Sequence, residues 1–157
     1  MSHSISLNQP VPHVTFTATN GVTANLHDFH GKSVVLYFYP KDNTPGCTCE
    51  TKDFRDQFEK FQQANTLIFG ISRDTLASHE NFKQKLDLPF ELISDPDETL
   101  CQLFNVINPK VLFGKRFFGV TRSTFLIDSQ GILRQAWRKV KVKGHVAEVL
   151  QKAESIN

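Results

Sequence analysis

Apolar and polar residues alternate along the chain with two different periods, one typical of strands and one typical of helices. Residues 14–16 and 22–24 are short alternating runs, and Asn20-Gly21 between them is a dipeptide typical of a tight hairpin turn. Residues 33–39 are apolar at successive positions, as in a strand that is covered on both faces of a sheet. The pattern therefore predicts an N-terminal β-hairpin followed by a buried central strand.

A loop and a helix follow this central strand. Pro40 ends the apolar run, because proline cannot donate to a strand ladder. Further along, Phe54, Phe58 and Phe61 recur at helical spacing with acidic residues between them. We therefore expect a helix that begins near Cys47.

The second half of the chain repeats the alternation of strands and helices. Further strands are expected at residues 66–71, 90–93, 123–127 and 132–137. Asp74-Thr75 can cap a helix, and residues 95–98 place a capping Asp, a Pro in the first turn and two more acids at the start of another. The last helix is expected to carry one apolar stripe, formed by Val146, Val149, Leu150 and Ala153. Residues 105–120 show no clear period and are expected to be irregular and basic.

This order of elements favours an α/β fold with a central mixed β-sheet and helices on both faces. No linker, repeat or low-complexity segment interrupts the chain, so residues 1–157 are expected to form one domain. A chain of this length can bury about two-thirds of its unfolded surface, which is enough for a core without disulfides.

Composition narrows the classes of partner. The chain is 39% hydrophobic and 22% charged, and its net charge of +2 is spread rather than clustered, which argues against nucleic acid as a partner. No apolar run approaches the roughly 20 residues that span a bilayer, so no membrane partner is expected. The first ten residues lack a basic and apolar leader, and three cysteines are an odd number. These features predict a reducing, cytoplasmic compartment.

Cys47 is the residue whose surroundings indicate chemistry. It lies where a strand, a loop and a helix start meet, so the unpaired N–H groups of the helix favour loss of the thiol proton. Thr44 can direct its hydroxyl towards the sulfur or a substrate oxygen, and Pro40 and Pro45 stiffen the loop. A lone cysteine is more often a small apolar residue of the core, but packing alone does not require this arrangement. The segment favours a reactive thiolate.

The spacing of Pro40, Thr44 and Cys47, Pro-x-x-x-Thr-x-x-Cys, resembles the signature of the peroxiredoxins. The surrounding sequence is similar to the bacterioferritin comigratory protein, or peroxiredoxin Q, branch. The similarity extends over nearly the whole chain and includes the segments 37–48, 93–97 and 119–131. The resemblance implies a thioredoxin-like α/β fold.

The resemblance also implies an activity, namely thiol-dependent reduction of hydrogen peroxide and organic hydroperoxides in antioxidant defence. Cys47 matches the peroxidatic cysteine, Thr44 and Pro40 match the residues that hold the peroxide and shield the sulfur, and Arg122 matches the active-site arginine. Donors expected to stabilise the transition state are the Thr44 hydroxyl, the Arg122 guanidinium and the Cys47 N–H. Glu50 either orients Arg122 or is a solvated first-turn carboxylate.

The resemblance implies no cofactor and no metal, but it does imply a thiol reductant. Thioredoxin, glutaredoxin and glutathione remain open as that reductant, and hydrogen peroxide and organic hydroperoxides remain open as the preferred substrate. Members of this branch are often monomeric, so a monomer is expected.

The sequence departs from its relatives at the resolving cysteine, the residue that forms a disulfide with the oxidised peroxidatic one. Lys52 occupies one usual position, and the following helix contains no cysteine. Cys49 remains a candidate, although helical geometry turns its sulfur about 200° from that of Cys47. Cys101 is the other, although its place on an amphipathic helix favours a core-edge role. We expect a cycle in which an external thiol reduces Cys47 directly.

Other functions are less compatible with the residues. A thioredoxin-type disulfide oxidoreductase needs Cys-x-x-Cys, which the chain lacks, and no second pair completes a metal site with Cys47 and Cys49. A redox sensor or chaperone-like protein, in which oxidation of Cys47 is a signal, remains an alternative. The histidines show no catalytic spacing and are expected at the surface; they are His3, His13, His27, His30, His79 and His145.

Overall fold

The computed structural model describes residues 5–156, which form nine β-strands, five α-helices and one short 3-10 helix. The strands are β1 (Thr15–Ala18), β2 (Thr23–Asn25), β3 (Ser33–Phe38), β4 (Thr66–Ser72), β5 (Glu91–Ser94), β6 (Ile107–Leu112), β7 (Lys115–Val120), β8 (Ser123–Ile127) and β9 (Leu133–Arg138). The helices are α1 (Pro45–Asp56), α2 (Phe58–Gln63), α3 (Leu76–Leu86), α4 (Thr99–Leu103) and α5 (His145–Ile156), and the 3-10 helix is Leu26–Phe29. No helix within residues 5–156 is both long and apolar enough to cross a bilayer.

Seven strands form a mixed sheet in the order β2-β1-β5-β4-β3-β8-β9. β3 is an interior strand that lies next to the middle strand β4. It runs parallel to β4 and antiparallel to β8, and all six of its residues are buried. β1 and β2 form the predicted N-terminal hairpin, and its turn places both Asn20 and Gly21 at positive φ. The central strand and the hairpin are therefore confirmed.

The sheet separates two apolar layers. Along β3, Val34 and Phe38 point into one layer, whereas Val35 and Tyr37 point into the other. Helices α1, α2, α3 and α5 cover the layer that contains Tyr37, and α4 and the 3-10 helix cover the opposite one. The mixed sheet with helices on both faces is as predicted.

The helix near residues 95–98 begins later than its sequence indicates. Pro96 lies in a turn, and α4 starts at Thr99. The Asp95 carboxylate still caps the helix, because it accepts the N–H groups of Leu100 at 3.0 Å and Cys101 at 2.8 Å. A capping Asp was predicted correctly, but the position of Pro96 in the first turn was wrong.

Residues 105–120 are not irregular. β6 and β7 pair antiparallel from Ile107↔Val120 to Leu112↔Lys115, and a tight turn at Phe113-Gly114 connects them. The alternation that marks a strand is missing because much of this hairpin is exposed on both faces, so no buried side imposes a period.

Candidate active site

The first turn of α1 holds Cys47. Thr44 is the N-cap residue, Pro45 opens the helix, and the first intrahelical bond runs from Thr48 N–H to the Thr44 carbonyl. The N–H groups of Gly46 and Cys47 precede that bond, so they belong to the unpaired donors of a helix start. The Cys47 side chain is only 1% exposed and packs in the same layer as Tyr37. This part of the structure holds a buried sulfur at the positive end of a helix dipole.

The Thr44 hydroxyl does not cap the helix. It donates its proton to the Lys41 carbonyl at 2.9 Å. A hydroxyl has one proton, so in this geometry Thr44 can only accept a hydrogen bond from a substrate. This differs from the expectation that Thr44 is a donor.

Arg122 reaches the sulfur from the neighbouring strand. It immediately precedes β8, whose first residue pairs with Phe38 at the end of β3, so the sheet places Arg122 beside the loop that leads to α1. Its Nη2 donates to Cys47 Sγ at 3.4 Å, and its Nη1 donates to Glu50 Oε1 at 2.7 Å. Burial by itself lowers the pKa of Arg122, but the negative charges of Glu50 and Cys47 outweigh burial and raise that pKa. The guanidinium therefore places a permanent positive charge beside the Cys47 sulfur.

Glu50 is not a solvated carboxylate. It is fully buried one turn along α1 from Cys47, and its Oε2 has no hydrogen-bond partner within residues 5–156. Burial raises the pKa of Glu50 to about 7, although the charge of Arg122 opposes that shift. Of the two interpretations of Glu50, the structure supports the one in which it orients Arg122.

Gly46 is a part of the site that sequence reasoning did not single out. A Cβ at this position would lie 3.0 Å from Arg122 Nη2, so only glycine lets the guanidinium approach the helix start without displacement. The signal was present in the sequence as a glycine directly before Cys47, but nothing in the sequence indicates what would meet its side chain.

Pro40 directly follows Tyr39, whose N–H bonds the Ile71 carbonyl at 3.0 Å and extends the strand pairing by one residue. Pro40 is half-buried and has no N–H, so it adds no donor beside the loop.

A second polar network, which the sequence did not reveal, anchors the loop between Pro40 and Thr44. His79 Nδ1 lies 2.7 Å from Asp42 Oδ2, and His79 Nε2 lies 3.0 Å from the Ile93 carbonyl. A carboxylate and a carbonyl are both acceptors, an arrangement that suits a ring donating from both of its nitrogens. Burial tends to raise the pKa of Asp42, but hydrogen bonds from His79 and Tyr39 prevail and lower it. The result is a buried hydrogen-bonded pair that joins α3 to the site loop.

The expectation that the histidines lie at the surface is wrong for two of them. His79 is fully buried, and His145 is buried with its Nε2 2.8 Å from Thr124 Oγ1. Burial lowers the pKa of His145 to about 4, which keeps it neutral near pH 7. His79 precedes buried Phe82 by three residues, which is helical spacing that could have placed it inwards. His3 lies outside the described residues.

The two remaining cysteines occupy different surroundings, and both are free thiols. Cys49 is exposed, as is Lys52 on the same helix. Cys101 is fully buried in the layer opposite the one that holds Cys47, so the sheet lies between the two sulfurs. Burial, together with the nearby Asp95 carboxylate, raises the pKa of Cys101 far above its usual range. Cys101 is thus a core residue and not the core-edge residue that the sequence suggested.

Known proteins of one family are similar to the chain over most of its length. Residues 7–136 match the model of the AhpC/TSA family. The chain is 49% identical to "Peroxiredoxin Bcp" of Bacillus subtilis over 148 residues, which cover 94% of each chain. It is 48% identical to "Putative peroxiredoxin bcp" of Coxiella burnetii over 147 residues, which cover 94% of this chain and 97% of that one.

Solved structures show the same relationship. The bacterioferritin comigratory protein of Xanthomonas campestris, studied for alkyl peroxide reduction, superposes with a TM-score of 0.86 at 44% identity, covering 90% of both chains. A cysteine-to-serine variant of PrxQ from Xylella fastidiosa superposes with a TM-score of 0.91 at 37% identity, covering 96% of both chains. The chain therefore belongs to the AhpC/TSA family, in its peroxiredoxin Q or bacterioferritin comigratory protein branch, and is a thiol-dependent peroxidase with a thioredoxin-like fold.

Proposed function

We propose that Cys47 is the nucleophile of this peroxidase and that Arg122, oriented by Glu50, stabilises both its thiolate and the transition state. The observation that carries the proposal is the position of the Arg122 guanidinium, which donates to Cys47 Sγ and to buried Glu50 at once. A guanidinium in this position favours the thiolate, which is the nucleophilic form of the sulfur.

In the proposed reaction the Cys47 thiolate attacks one peroxide oxygen in line with the O–O bond. The S–O bond forms as the O–O bond breaks, and the departing oxygen takes the electron pair and a proton to leave as water or an alcohol. Cys47 becomes a sulfenic acid. Negative charge spreads over both oxygens in the transition state, so fixed donors aimed at them lower its energy more than that of the bound peroxide.

The hydrogen bond from Thr44 to Lys41 supports two kinds of role among the expected donors. Arg122 and the Cys47 N–H donate to the peroxide oxygens. Thr44 acts instead as an acceptor for the peroxide O–H, because its own proton is committed to Lys41. Pro40 offers no competing N–H beside the loop.

We also propose that Cys47 is regenerated by an external thiol and not by a disulfide within the chain. Cys101 lies across the sheet from Cys47, so a bond between them requires the core to come apart. Cys49 is two residues along the same helix, where its side chain points to solvent while that of Cys47 is buried.

The external cycle has two steps. One thiol attacks the sulfenic sulfur, releases water and forms a mixed disulfide with Cys47, and a second thiol attacks that disulfide to restore the Cys47 thiol. Since Cys47 is only 1% exposed, the first turn of α1 must open for the reductant to reach Sγ. Thioredoxin, glutaredoxin and glutathione are the reductants to compare.

Peroxide turnover by the three single variants Cys47→Ser, Cys49→Ser and Cys101→Ser tests these assignments with each reductant in turn. We expect Cys47→Ser to lose all turnover and the other two variants to retain most of it. Arg122→Lys keeps the charge but loses the fork, so it should slow sulfenic acid formation by about 100-fold. Normal turnover by Cys47→Ser would refute the nucleophile, and its loss in Cys49→Ser or Cys101→Ser would refute the external cycle.

A further inference from the structure

The hairpin of β6 and β7, residues 107–120, is an arm whose strands pair with each other and with no other strand of the described residues. Every residue from 111 to 118 is exposed. Five of them are large apolar side chains, with exposed fractions of 68% for Val111, 57% for Leu112, 95% for Phe113, 42% for Phe117 and 67% for Phe118. We call residues 107–120 the hairpin arm.

The turn at the tip of the hairpin arm contains a residue that destabilises it. Phe113 has φ 52° and Gly114 has φ 77°, so the turn needs positive φ at both central positions. Such turns favour Asn-Gly, and the turn between β1 and β2 uses that pair, with φ 60° at Asn20 and 69° at Gly21. A phenylalanine at this position is strained and leaves an apolar ring in water. Phe113 is 95% exposed, so no packing within residues 5–156 offsets either cost, which points to a partner outside the chain.

The hairpin arm is also cationic. Lys110, Lys115 and Arg116 lie among its apolar residues, and the sequence has no Asp or Glu between Glu98 and Asp128. A partner of this surface therefore combines an apolar region with negative charge.

The strand register of the hairpin arm favours a lipid layer over a folded protein as its partner. Val111 faces Arg116 across the ladder, and Leu112 faces Lys115, so each face of the arm carries an exposed aliphatic side chain beside a cation. The side chains at residues 111–118 are exposed on both faces. A folded protein partner usually covers one face, whereas a lipid layer surrounds an inserted tip on all sides. A symmetric contact between the arms of two copies would bring together two cationic surfaces that contain no Asp or Glu.

We propose that the hairpin arm docks this peroxidase on anionic lipid bilayers. Leu112 and Phe113 enter the boundary between headgroups and acyl chains, and Lys115 and Arg116 contact the lipid phosphates. The sequence predicts no membrane partner because no apolar run can span a bilayer, but docking at the surface needs no such run. Docking brings the enzyme to the place where hydroperoxides of membrane lipids form. This holds regardless of which residues of the active site reduce those hydroperoxides.

The test is co-sedimentation of the full chain with vesicles of phosphatidylcholine, with and without phosphatidylglycerol. We expect binding to the anionic vesicles that weakens as salt is raised, and little binding to phosphatidylcholine alone. Phe113→Asn should weaken vesicle binding by about tenfold or more while raising thermal stability, because Asn suits this turn. Leu7→Asn, at an apolar residue that is 53% exposed outside the arm, is the matched control and should bind as the unchanged protein does.

Equal binding by Phe113→Asn, or no binding of the unchanged chain to anionic vesicles, would overturn the proposal. Self-association that Phe113→Asn abolishes, without vesicle binding, would assign the arm to a second copy instead. Turnover of hydrogen peroxide in solution should be unchanged in Phe113→Asn. Vesicle binding should persist in Cys47→Ser, so failure of the docking proposal is distinct from failure of the Cys47 assignment.

Discussion

Arg122 can lie between Cys47 and Glu50 because Gly46 has no side chain. The guanidinium contacts the sulfur and the carboxylate at 3.4 Å and 2.7 Å, and any Cβ at residue 46 would stand 3.0 Å from its Nη2. At the residue scale, therefore, the position of the Arg122 guanidinium depends on the absence of a methyl group at residue 46.

Gly46→Ala should slow peroxide reduction by roughly tenfold, because the displaced guanidinium stabilises the transition state less well. Alanine is a better helix residue than glycine, so the thermal midpoint should hold or rise. Stopped-flow measurement of sulfenic acid formation tests the first part and thermal unfolding the second. Lys52→Ala, at an exposed residue of the same helix, is the control. An unchanged rate in Gly46→Ala would show that Arg122 does not need this close approach.

Glu50 makes the stability of the protein depend on pH. Its pKa is raised from an ordinary value of 4.5 to about 7 in the folded chain, so the unfolded chain loses this proton at a lower pH than the folded one. The contribution of Glu50 to stability is therefore greatest below pH 4.5 and falls as pH rises through 7.

Compared with Glu50→Gln, which does not titrate, the free energy of unfolding of the unchanged protein should fall by about 3 kcal/mol as pH rises over this interval. Urea unfolding of both proteins at a series of pH values measures this difference. A difference that stays constant with pH would mean that burial does not shift this carboxyl.

At the scale of elements, a buried hydrogen bond between His79 and Asp42 connects α3 to the loop before α1. Ser78 Oγ on the same helix also donates to Asp42 at 2.8 Å, and Asp74, which follows β4, accepts the Asp42 N–H at 2.9 Å. Two elements that are distant in sequence thereby hold the loop that carries Thr44.

His79→Leu should destabilise the fold by about 3–5 kcal/mol, because it removes the His79 hydrogen bond from a buried carboxylate. Gln84→Ala, at an exposed position of α3, should change the unfolding free energy by less than about 0.5 kcal/mol. Denaturant unfolding of both variants gives the comparison. A loss below about 1 kcal/mol in His79→Leu would mean that this hydrogen bond contributes little to the stability of the folded protein.

The two hairpins show what local sequence can and cannot predict about elements. Asn20-Gly21 is a turn signal, so β1 and β2 were predicted; Phe113-Gly114 forms a turn of the same kind but lacks the favoured residue, so β6 and β7 were missed. The start of α4 was misplaced because Asp95 caps it from further back than a standard N-cap.

At the scale of the whole molecule, the sheet keeps Cys47 and Cys101 in separate layers. Within residues 5–156 no other thiol packs in the layer that holds Cys47, because Cys101 lies in the opposite layer and Cys49 is exposed.

Excess peroxide without an added thiol should convert Cys47 to the sulfinic acid, which carries two oxygen atoms, while Cys101 remains a free thiol. Mass spectrometry of digested peptides and thiol titration measure both changes. An added thiol should protect Cys47 by forming the mixed disulfide first. Loss of two thiols per chain with formation of an internal disulfide would contradict the external cycle.

The sequence by itself determined the alternation of elements, the buried central strand, the helix start at Cys47 and the family resemblance, because these depend on local periodicity and on contiguous motifs. It also pointed to Arg122 and Glu50, which the structure brings together with Cys47. Only the tertiary structure decided that Glu50 is buried and that Cys101 lies across the sheet from Cys47. It alone showed that His79 is buried against Asp42 and that Gly46 leaves room for a guanidinium. These properties depend on which side chains meet across the fold, and a residue's own neighbours in sequence do not specify that.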